Sequence, residues 1–397
     1  MATVRHGGTA ILTTNGGSSS IRFALYARGE PPLLRLRGKI DRIEQTATTL
    51  AFTDAVTHES GETALEDAGH GAAVAALVDW LEQRGALDDI AAVGHRVVQG
   101  PQHPGPALIT PALRAELEGL CRRDPEHMPR ALELIAAFEK RLPGCPQVAC
   151  FDTAFHRYMP RVATQIALPR RFEALGVQRY GFHGLSYTYL IQELARRGDV
   201  AATRGRVILA HLGSGASMAA VRDGIGIDTS MGFTPVAGLP MRTRSGDIDP
   251  GLVRFLAEET GMRPAQFDHM VNHQSGLLGL SQTSGDIRDL LASEGDDSRA
   301  AEAVALFCYQ AKKMIGAYAA ALGGLDTLVF AGGIGENAPV IRDRICDGLD
   351  FLGVTIDSTQ NAASAALISR CSARVAVRVI ATDEEQMIAI LVSRLLG

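Results

Sequence analysis

Apolar residues in this chain are concentrated in short stretches and in longer segments with helical spacing. Short runs of this kind favour buried strands, and they cover residues 92–98, 148–151, 325–331 and 374–380. Apolar residues spaced three and four positions apart predict helices, and they occupy residues 71–84, 186–197, 249–259, 298–322, 339–349 and 384–396. Strands and helices that alternate in this way predict an α/β fold with mixed sheets flanked by helices.

One pattern occurs twice, at residues 11–26 and 207–221. Each copy has an apolar strand, a turn of glycine and serine, and a second apolar stretch, which together predict a β-hairpin. Two such hairpins about half a chain apart indicate a duplicated fold. We expect an N-terminal lobe of residues 1–154 plus 382–397, to which the closing helix returns, and a C-terminal lobe of residues 155–381.

Composition narrows the class of protein. A length of 397 residues suits about two domains, and 46% apolar residues can fill their cores. The net charge of −5 argues against a nucleic-acid or membrane-surface partner. The six cysteines form no CxxC pair, which favours reduced thiols. The first residues lack the apolar core of a signal peptide and no run approaches a membrane span, so we expect a cytoplasmic protein.

The turn in Thr14–Phe23, TNGGSSSIRF, has two interpretations. It is a plain hairpin turn, or its backbone N–H groups and hydroxyls form a phosphate cradle bracketed by Asn15 and Arg22. A second glycine cluster, at residues 330–337, precedes a helix that is predicted to begin at Pro339 and would leave N–H groups for a ligand. Its GxGxxA spacing is weak evidence for a dinucleotide, because too little chain follows to build a Rossmann sheet. No GxxxxGK[ST] motif occurs, which excludes a P-loop.

Polar residues cluster where the predicted strands end. Arg96 interrupts an apolar strand, which indicates either a buried structural ion pair or an anion ligand. Asp152 ends the next strand and could bind magnesium or act as a base. His183 lies between glycines ahead of a helix, and the loop 240–250 carries two arginines and two aspartates. Glycine turns, loop arginines and strand-end carboxylates are together what phosphoryl transfer requires.

These residues lie in motifs that resemble the acetate kinase family, of the acetate and sugar kinase, heat-shock ATPase and actin superfamily. The resemblance runs nearly end to end, through NGGSSSIRF, GHRVV, FDTAFHRYMP, RYGFHGLS, HLGSGAS, DTSMGFTPVAGLPMRTRSGDIDP, GGIGEN and TDEEQMIA. It implies duplicated ribonuclease-H-like (actin-like ATPase) domains with ATP between them, the C-terminal lobe binding the nucleotide, and a homodimer. The implied reaction is reversible, magnesium-dependent, direct in-line transfer of the ATP γ-phosphoryl group to acetate or a related short carboxylate, giving an acyl phosphate and ADP.

The resemblance also assigns roles to residues. Arg96 and Arg244 would hold the carboxylate and the transferring phosphoryl group, and His183 would stabilise the transition state. Magnesium would be placed by Asp152, Glu384 and Asn15, and the acyl group would contact Val98, Phe182 and Pro235. The ATP-binding set would be Asn15, Ser18, Ser20, Arg22, His211, Gly213, Ser214, Gly215, Asp286, Arg288, Gly333, Gly335 and Asn337.

The chain departs from the family pattern near the nucleotide. Arg22 replaces a lysine, Ser214 replaces an asparagine, and Arg242 replaces a glycine beside the implied catalytic arginine, where a surface pair with Asp247 or Asp249 is the simplest role. Ile287 replaces the aromatic residue expected to stack on adenine, so the nucleobase preference is open.

Further departures lie near the acyl group, where Gln99, Pro101 and Met128 replace family residues. Glu126 falls where an apolar residue would line the methyl pocket. Three interpretations are open: the local alignment is shifted, Glu126 turns to solvent, or the preferred acid carries a polar or cationic group. Propionate, butyrate and polar-substituted acids are therefore alternatives to acetate. A conformational actin-like or chaperone-like ATPase and a non-catalytic nucleotide-binding relative are alternatives to a kinase.

Overall fold

The computed structural model describes residues 8–17, 19–44, 47–65, 69–198 and 203–397. Their strands are β1 (Ala10–Gly16), β2 (Ser20–Ala27), β3 (Leu33–Asp41), β4 (Thr49–Asp54), β5 (Ser60–Ala64), β6 (Ile90–Val97), β7 (Ala107–Leu108), β8 (Gln147–Phe151), β9 (Arg206–Leu212), β10 (Ala216–Arg222), β11 (Ile225–Thr229), β12 (Thr327–Ala331) and β13 (Ala376–Val379).

The helices include four short 3₁₀ turns among the described residues, Ala86–Asp89, Asp152–Tyr158, Arg170–Leu175 and Asp350–Leu352. The described α-helices are α1 (His70–Gln83), α2 (Pro111–Leu120), α3 (Met128–Arg141), α4 (Arg161–Thr164), α5 (Gly184–Arg196), α6 (Gly251–Thr260), α7 (Pro264–His273), α8 (Gly276–Ser281), α9 (Ile287–Ser293), α10 (Ser298–Leu322), α11 (Gly332–Asn337), α12 (Pro339–Cys346), α13 (Ser358–Ala362) and α14 (Glu384–Leu396).

The chain divides into a first unit, Met1–Ala154 with Asp383–Gly397, and a second unit, Phe155–Thr382. The described strands of the first unit form one sheet in the order β5-β4-β3-β2-β1-β6-β8-β7. β1 pairs with β2 in an antiparallel hairpin and with β6 in parallel, and β6 pairs in parallel with β8. The first predicted hairpin is therefore present.

The second unit repeats this arrangement in a smaller sheet, whose order over the described strands is β11-β10-β9-β12-β13. β9 and β10 form the second predicted hairpin, and β9, β12 and β13 are parallel. The five strands correspond in order and direction to β3-β2-β1-β6-β8 of the first unit. The predicted α/β fold with mixed sheets is confirmed, and the matching strand orders are those of a duplicated ribonuclease-H-like fold.

The C-terminal helix α14 packs on β1, β2 and β6 of the first unit. Gly94 on β6 allows this packing, because a Cβ atom there would lie 2.5 Å from Ile388 Cγ2 and 2.7 Å from Val392 Cγ2. Any side chain would therefore push the helix off the sheet. The contact places Glu384, the first residue of α14, close to Asn15 near the carboxyl end of β1.

In the second unit, α5 packs on the sheet through buried Tyr187, Leu190 and Leu194. The parallel strands β9 and β12 end at Leu212 and Ala331, so the segments that follow meet at one edge. Gly332 has a φ of +76°, and a Cβ atom there would lie 2.7 Å from the carbonyl oxygen of Leu212. Only glycine suits both the backbone conformation and the close approach.

The second glycine cluster is itself largely helical and also precedes the helix predicted at Pro339. Residues Gly332–Asn337 form the short helix α11, and Pro339 begins a separate helix, α12. The backbone N–H of Gly332 donates to Glu336 Oε1 at 2.8 Å, so the side chain of the helix satisfies one of its own amino-terminal donors.

Two further expectations concern cysteines and membranes. All six cysteines are free thiols, as predicted from their spacing. Within the described part of the chain, no helix combines the length and apolar character that crossing a bilayer requires.

Candidate active site

The first unit brings Arg96 and Asp152 together where β6 and β8 end. Arg96 Nε and Nη2 donate to the same Asp152 oxygen, Oδ2, at 2.9 and 2.6 Å. Asp152 is fully buried and the Arg96 side chain retains 15% of its exposure. The structural ion pair foreseen for Arg96 is thus present. The exposed part of its guanidinium leaves the anion-ligand interpretation open.

Asn15 joins this pair to the start of α14. Its Oδ1 accepts from Arg96 Nη1 at 3.0 Å, and its Nδ2 donates to Glu384 Oε2 at 2.8 Å and to Glu385 Oε1 at 3.0 Å. Burial opposes the charge of Arg96, but the carboxylates of Asp152 and Glu384 outweigh it and raise the pKa of Arg96 above its usual value. Arg96 therefore stays cationic.

Glu385 is a member of this cluster that sequence reasoning missed. Burial and then the neighbouring charge of Glu384 raise the pKa of Glu385 above its ordinary value. The motif TDEEQMIA contains both glutamates and could have indicated the second one, but motif matching selects a single metal-binding acid.

The glycine turn of the first unit is a hairpin turn in the structure. The Gly17 N–H donates to the Ser20 carbonyl at 2.7 Å, and Asn15 pairs with Arg22 across the two strands. Arg22 is exposed and Ser20 is half-buried, whereas Ser18 lies outside the described residues. The two strands thus form a hairpin, which fits both interpretations of the turn, and phosphate binding by Ser18, Ser20 and Arg22 stays a prediction.

The second unit brings His183 and Arg244 to one glycine turn. A Cβ atom on Gly215 would lie 3.3 Å from His183 Nε2 and 3.8 Å from Arg244 Nη1, so only glycine leaves this space open. Arg244 Nη1 also donates to the Pro235 carbonyl at 3.2 Å. An imidazole and a guanidinium directed to the same turn can bind the oxygens of a phosphoryl group.

His183 adopts a left-handed backbone conformation, with φ of +56°, immediately before α5. This conformation is uncommon for a residue other than glycine. The preceding carbonyl, that of Phe182, accepts from His156 Nε2 at 2.9 Å. Burial lowers the pKa of His156 to about 4, so this ring is neutral and carries its proton on Nε2.

His156 is therefore a second residue that sequence reasoning missed. Its ring also occupies the space beside Gly181, where a Cβ atom would lie 2.6 Å from His156 Cδ2. The motif FDTAFH ends on this histidine and carried the signal.

The imidazoles of His183 and His211 stack, with ring centroids 4.3 Å apart. Each Nδ1 contacts a serine hydroxyl at 2.8 Å, that of Ser217 for His183 and that of Ser186 for His211. The Ser186 hydroxyl also contacts Thr382 Oγ1 at 2.8 Å. The Nδ1 side of both rings is thus held by the protein.

The glycine segments of the second unit also converge. A Cβ atom on Gly213 would lie 3.7 Å from the backbone N of Gly333 and 3.8 Å from His211 Nε2. Ser214 is exposed, and its carbonyl accepts from the Arg242 N–H at 3.2 Å. The structure therefore groups His211, Gly213, Ser214, Gly215 and Gly333 at one edge of the sheet.

The residues implied to bind adenosine are arranged differently. Asp286 caps α9 and binds Arg288 Nη2 at 2.6 Å, which lowers the pKa of Asp286 to about 2. Ile287 between them is buried and does not present its side chain to solvent. Gly335 is buried within α11, and Asn337 is exposed with its Nδ2 bonded to the Gly333 carbonyl at 3.0 Å.

Asp247 and Asp249, the acidic partners foreseen for Arg242, instead accept hydrogen bonds from the backbone. Their donors are the N–H groups of Gly238 and Gly251, at 2.8 and 2.6 Å. Arg242 instead packs against Gly285, and its charge contributes to the low pKa of Asp286.

The residues implied to contact the acyl group are buried in separate units. Val98 lies at the end of β6 in the first unit, whereas Phe182 and Pro235 adjoin His183 and Arg244 in the second. Glu126 is half-buried in the turn before α3, and Met128 belongs to the first unit's core. The three interpretations of Glu126 therefore stay predictions.

The chain is similar to known proteins over nearly its whole length. The Acetokinase family matches residues 10–390. An acetate kinase of Rhodopseudomonas palustris is 45% identical over 393 residues, covering 97% of this chain and 98% of the relative. The crystal structure of Porphyromonas gingivalis acetate kinase has a TM-score of 0.86 at 36% identity, over 98% of this chain and 100% of that one. A propionate kinase structure from Francisella tularensis has a TM-score of 0.89 at 35% identity, over 96% and 98%. The resemblance seen in the motifs is confirmed, and the chain belongs to the acetokinase family.

Proposed function

We propose that this protein is an acetate kinase, which reversibly transfers the γ-phosphoryl group of ATP to acetate or a related short carboxylate and yields an acyl phosphate and ADP. The observation that carries the proposal is the convergence of His183 and Arg244 on the turn at Gly215. Phosphoryl transfer needs donors and positive charge around the equatorial oxygens of the moving group, with little covalent chemistry from the protein.

The residues of each unit would contribute different parts of this reaction. In the second unit, Gly213 and Gly333 leave room for phosphate oxygens, while His183 and Arg244 would bind the oxygens of the transferring group. In the first unit, Arg96 would bind the acceptor carboxylate. Asp152 and Asn15 use three of its five N–H donors within the described residues, and the other two suit a carboxylate or phosphoryl oxygen.

Magnesium is the metal that the reaction implies, and the first unit offers suitable donors. No group of three or more histidine, cysteine or acidic side chains forms a metal site among the described residues. Magnesium, however, is often held by one or two carboxylates together with substrate phosphates and water. Asp152 and Glu384 would provide those carboxylates, and the metal would neutralise phosphate charge. Because Asn15 turns Nδ2 toward Glu384, we propose that it orients this ligand.

The reaction is tested by trapping its product. With ATP, magnesium, acetate and hydroxylamine, the protein is expected to form acetyl hydroxamate in a fixed ratio to ADP, because an acyl phosphate reacts with hydroxylamine. ADP release that is slow and indifferent to carboxylates would instead indicate a conformational ATPase. Nucleotide binding without ADP release for any acid would indicate a non-catalytic relative.

Gln99 favours a second candidate substrate, a short acid with a hydroxyl group. Gln99 is fully buried, and neither its Nε2 nor its Oε1 is hydrogen-bonded to a described residue. Leaving such groups unbonded costs about 1–3 kcal/mol each, and a substrate hydroxyl could recover part of this free energy. Gln99 follows the Arg96 strand, and the next residue, Gly100, donates to Thr153 Oγ1 beside Asp152. The segment that carries Gln99 therefore neighbours the proposed carboxylate site.

We expect Gln99→Leu to change which acid the enzyme prefers. The ratio of kcat/KM for acetate to that for glycolate should rise about 10-fold, because the variant loses hydrogen bonds to the hydroxyl group. The exposed Gln165 provides a control, since Gln165→Leu should leave the ratio unchanged. An unchanged ratio in Gln99→Leu would remove the hydroxy acid as a candidate and leave acetate or propionate.

We also propose that the protein is a cytoplasmic homodimer. Its free cysteines suit a reducing compartment. Helix α6 has no buried residue, and Leu252, Val253 and Phe255 are 39, 41 and 53% exposed. Adjacent apolar side chains left in water are typical of an association surface.

We expect Phe255→Asp to convert a dimer into a monomer, because a charge on this surface must be desolvated in the interface. Light scattering after size-exclusion chromatography at micromolar concentration measures the mass. Phe351→Asp is the control, since Phe351 is 73% exposed in the same unit but lies outside α6. A wild-type monomer, or a dimer in Phe255→Asp, would contradict the proposal for α6.

A further inference from the structure

Two buried hydroxyl groups, those of Ser217 and Tyr187, form a series of hydrogen bonds that ends at His183. The Ser217 hydroxyl contacts His183 Nδ1 at 2.8 Å and also makes a short hydrogen bond with the hydroxyl of Tyr187. Ser217 and Tyr187 are fully buried, and His183 is 8% exposed. Tyr187 lies one helical turn after His183, and its N–H donates to the His183 carbonyl at 3.0 Å. The three residues are therefore linked by hydrogen bonds within the second unit.

The protons of these two hydroxyl groups can be arranged in three ways. A serine hydroxyl has a single proton and two acceptor sites, so Ser217 donates to His183, donates to Tyr187, or accepts from both. If it donates to His183 Nδ1, the neutral imidazole carries its proton on Nε2. In the other two arrangements the neutral imidazole carries its proton on Nδ1 and Nε2 is an acceptor. The direction of these hydrogen bonds thus decides whether His183 Nε2 is a donor.

The chemistry of the two hydroxyls favours the first arrangement. A phenol, with a pKa near 10, is a much stronger acid than an aliphatic alcohol, so Tyr187 is the better donor in their short hydrogen bond. Ser217 then accepts from Tyr187, and because its buried hydroxyl has no other acceptor among the described residues, it donates its own proton to Nδ1 of His183. Nε2, which faces Gly215 and lies near Arg244, becomes a donor.

The surroundings of His183 make its tautomer important. Its ring stacks on that of His211 at 4.3 Å, and the Arg244 guanidinium approaches the same point beside Gly215 as His183 Nε2. Two imidazolium ions in stacked rings beside a guanidinium would repel one another. A neutral His183 avoids this repulsion, but it can donate to a phosphoryl oxygen only as the Nε2–H tautomer.

We propose that Tyr187 and Ser217 are positioning residues that hold His183 as the neutral Nε2–H tautomer, ready to donate to the phosphoryl group. The benefit to catalysis depends on the proposed kinase function, whereas the tautomer itself does not. We call these two hydroxyl groups the relay. The relay adds two residues to the site, and neither the motifs nor the proposed reaction assigns a role to them.

The tautomer is measured directly by ¹⁵N NMR of the full-length protein labelled on histidine, with His183 assigned from the spectrum of His183→Gln. In the wild type, Nε2 should show the shift of a protonated nitrogen and Nδ1 that of an unprotonated one. Ser217→Ala should lose this preference, and Tyr187→Phe should weaken it. Ser186→Ala removes the matching hydroxyl from His211 and should leave the tautomer of His183 unchanged.

Kinetics provides the second readout. Ser217→Ala is expected to lower kcat about 10²-fold and Tyr187→Phe about 10-fold, with the KM for ATP nearly unchanged. Ser217→Thr, which keeps the hydroxyl, should recover most of the activity. If Ser217→Ala does not fold, Tyr187→Phe tests the same relay with the serine retained.

Two results would overturn the relay: an Nδ1–H tautomer in the wild type, or unchanged His183 signals in both Ser217→Ala and Tyr187→Phe. An Nε2–H tautomer in a protein that forms no acyl phosphate would support the relay and refute the kinase function instead.

Discussion

Arg96→Ala is expected to lower kcat for acyl phosphate formation by about 10³-fold while the affinity for ADP stays within a few-fold of the wild type. Arg96 would bind the acceptor carboxylate and the transferring group, whereas the glycine turns implied to hold ADP lie in the second unit. Initial rates measured with hydroxylamine and ADP titrations by calorimetry give the two quantities.

In the Arg96→Ala variant, a loss of catalysis must be distinguished from a loss of folded protein. Removing Arg96 leaves the fully buried Asp152 carboxylate without its guanidinium, which is destabilising. Arg96→Lys keeps the charge but cannot reproduce the three hydrogen bonds to Asp152 and Asn15, so it should also lose most activity. Arg35→Ala, which breaks a half-exposed pair with Asp89, is the control and should retain activity. A folded Arg96→Ala protein that no longer binds ADP would refute the assigned role.

Arg342→Met is expected to lower the free energy of unfolding by about 4 kcal/mol, because it leaves several buried acceptors unbonded. Arg342 is fully buried and donates to the Gly335 and Glu336 carbonyls at 2.8 and 3.0 Å, which lie in α11. It also donates to Asn361 Oδ1 and to the Asn361 carbonyl, both at 2.8 Å. The loss should appear in urea unfolding monitored by circular dichroism.

Arg344→Met, two residues away on α12, is the matched control. Arg344 binds Glu294 through two hydrogen bonds of 2.7 Å, but its side chain is 39% exposed. Removing this pair should cost no more than about 1 kcal/mol. Equal losses in the two variants would show that the carbonyls of α11 do not depend on Arg342.

The elements with strong local patterns were predictable from the sequence. The hairpins of β1–β2 and β9–β10 combine apolar strands with glycine turns, and α10 and α14 have long apolar stripes, so each pattern reports its own element. The outer strands β4 and β5 were not predicted, because their exposed side chains blur the alternation. Helix α11 was not predicted because glycine disfavours helix, and contacts from Arg342 and Glu336 override that preference.

Part of the candidate site could also be predicted from local sequence patterns. Arginine in an apolar strand, histidine between glycines and carboxylates at strand ends are unusual in any soluble core, so Arg96, His183 and Asp152 could be selected without coordinates. His156 lies in the motif FDTAFH and Ser217 in HLGSGAS, but neither was selected, because a buried histidine or serine is ordinary until its partner is known.

The amino-acid order was thus enough for the fold class, the duplication and the family, since these depend on local patterns and on motifs that are contiguous in the chain. Only the three-dimensional structure paired Asn15 with Glu384, 369 residues later, and His183 with Ser217. It also placed the amide nitrogen of Asn15 against the Glu384 carboxylate and the Ser217 hydroxyl against Nδ1 of His183. Strand order and helix packing decide such contacts, and both arise from interactions between segments that are distant in sequence.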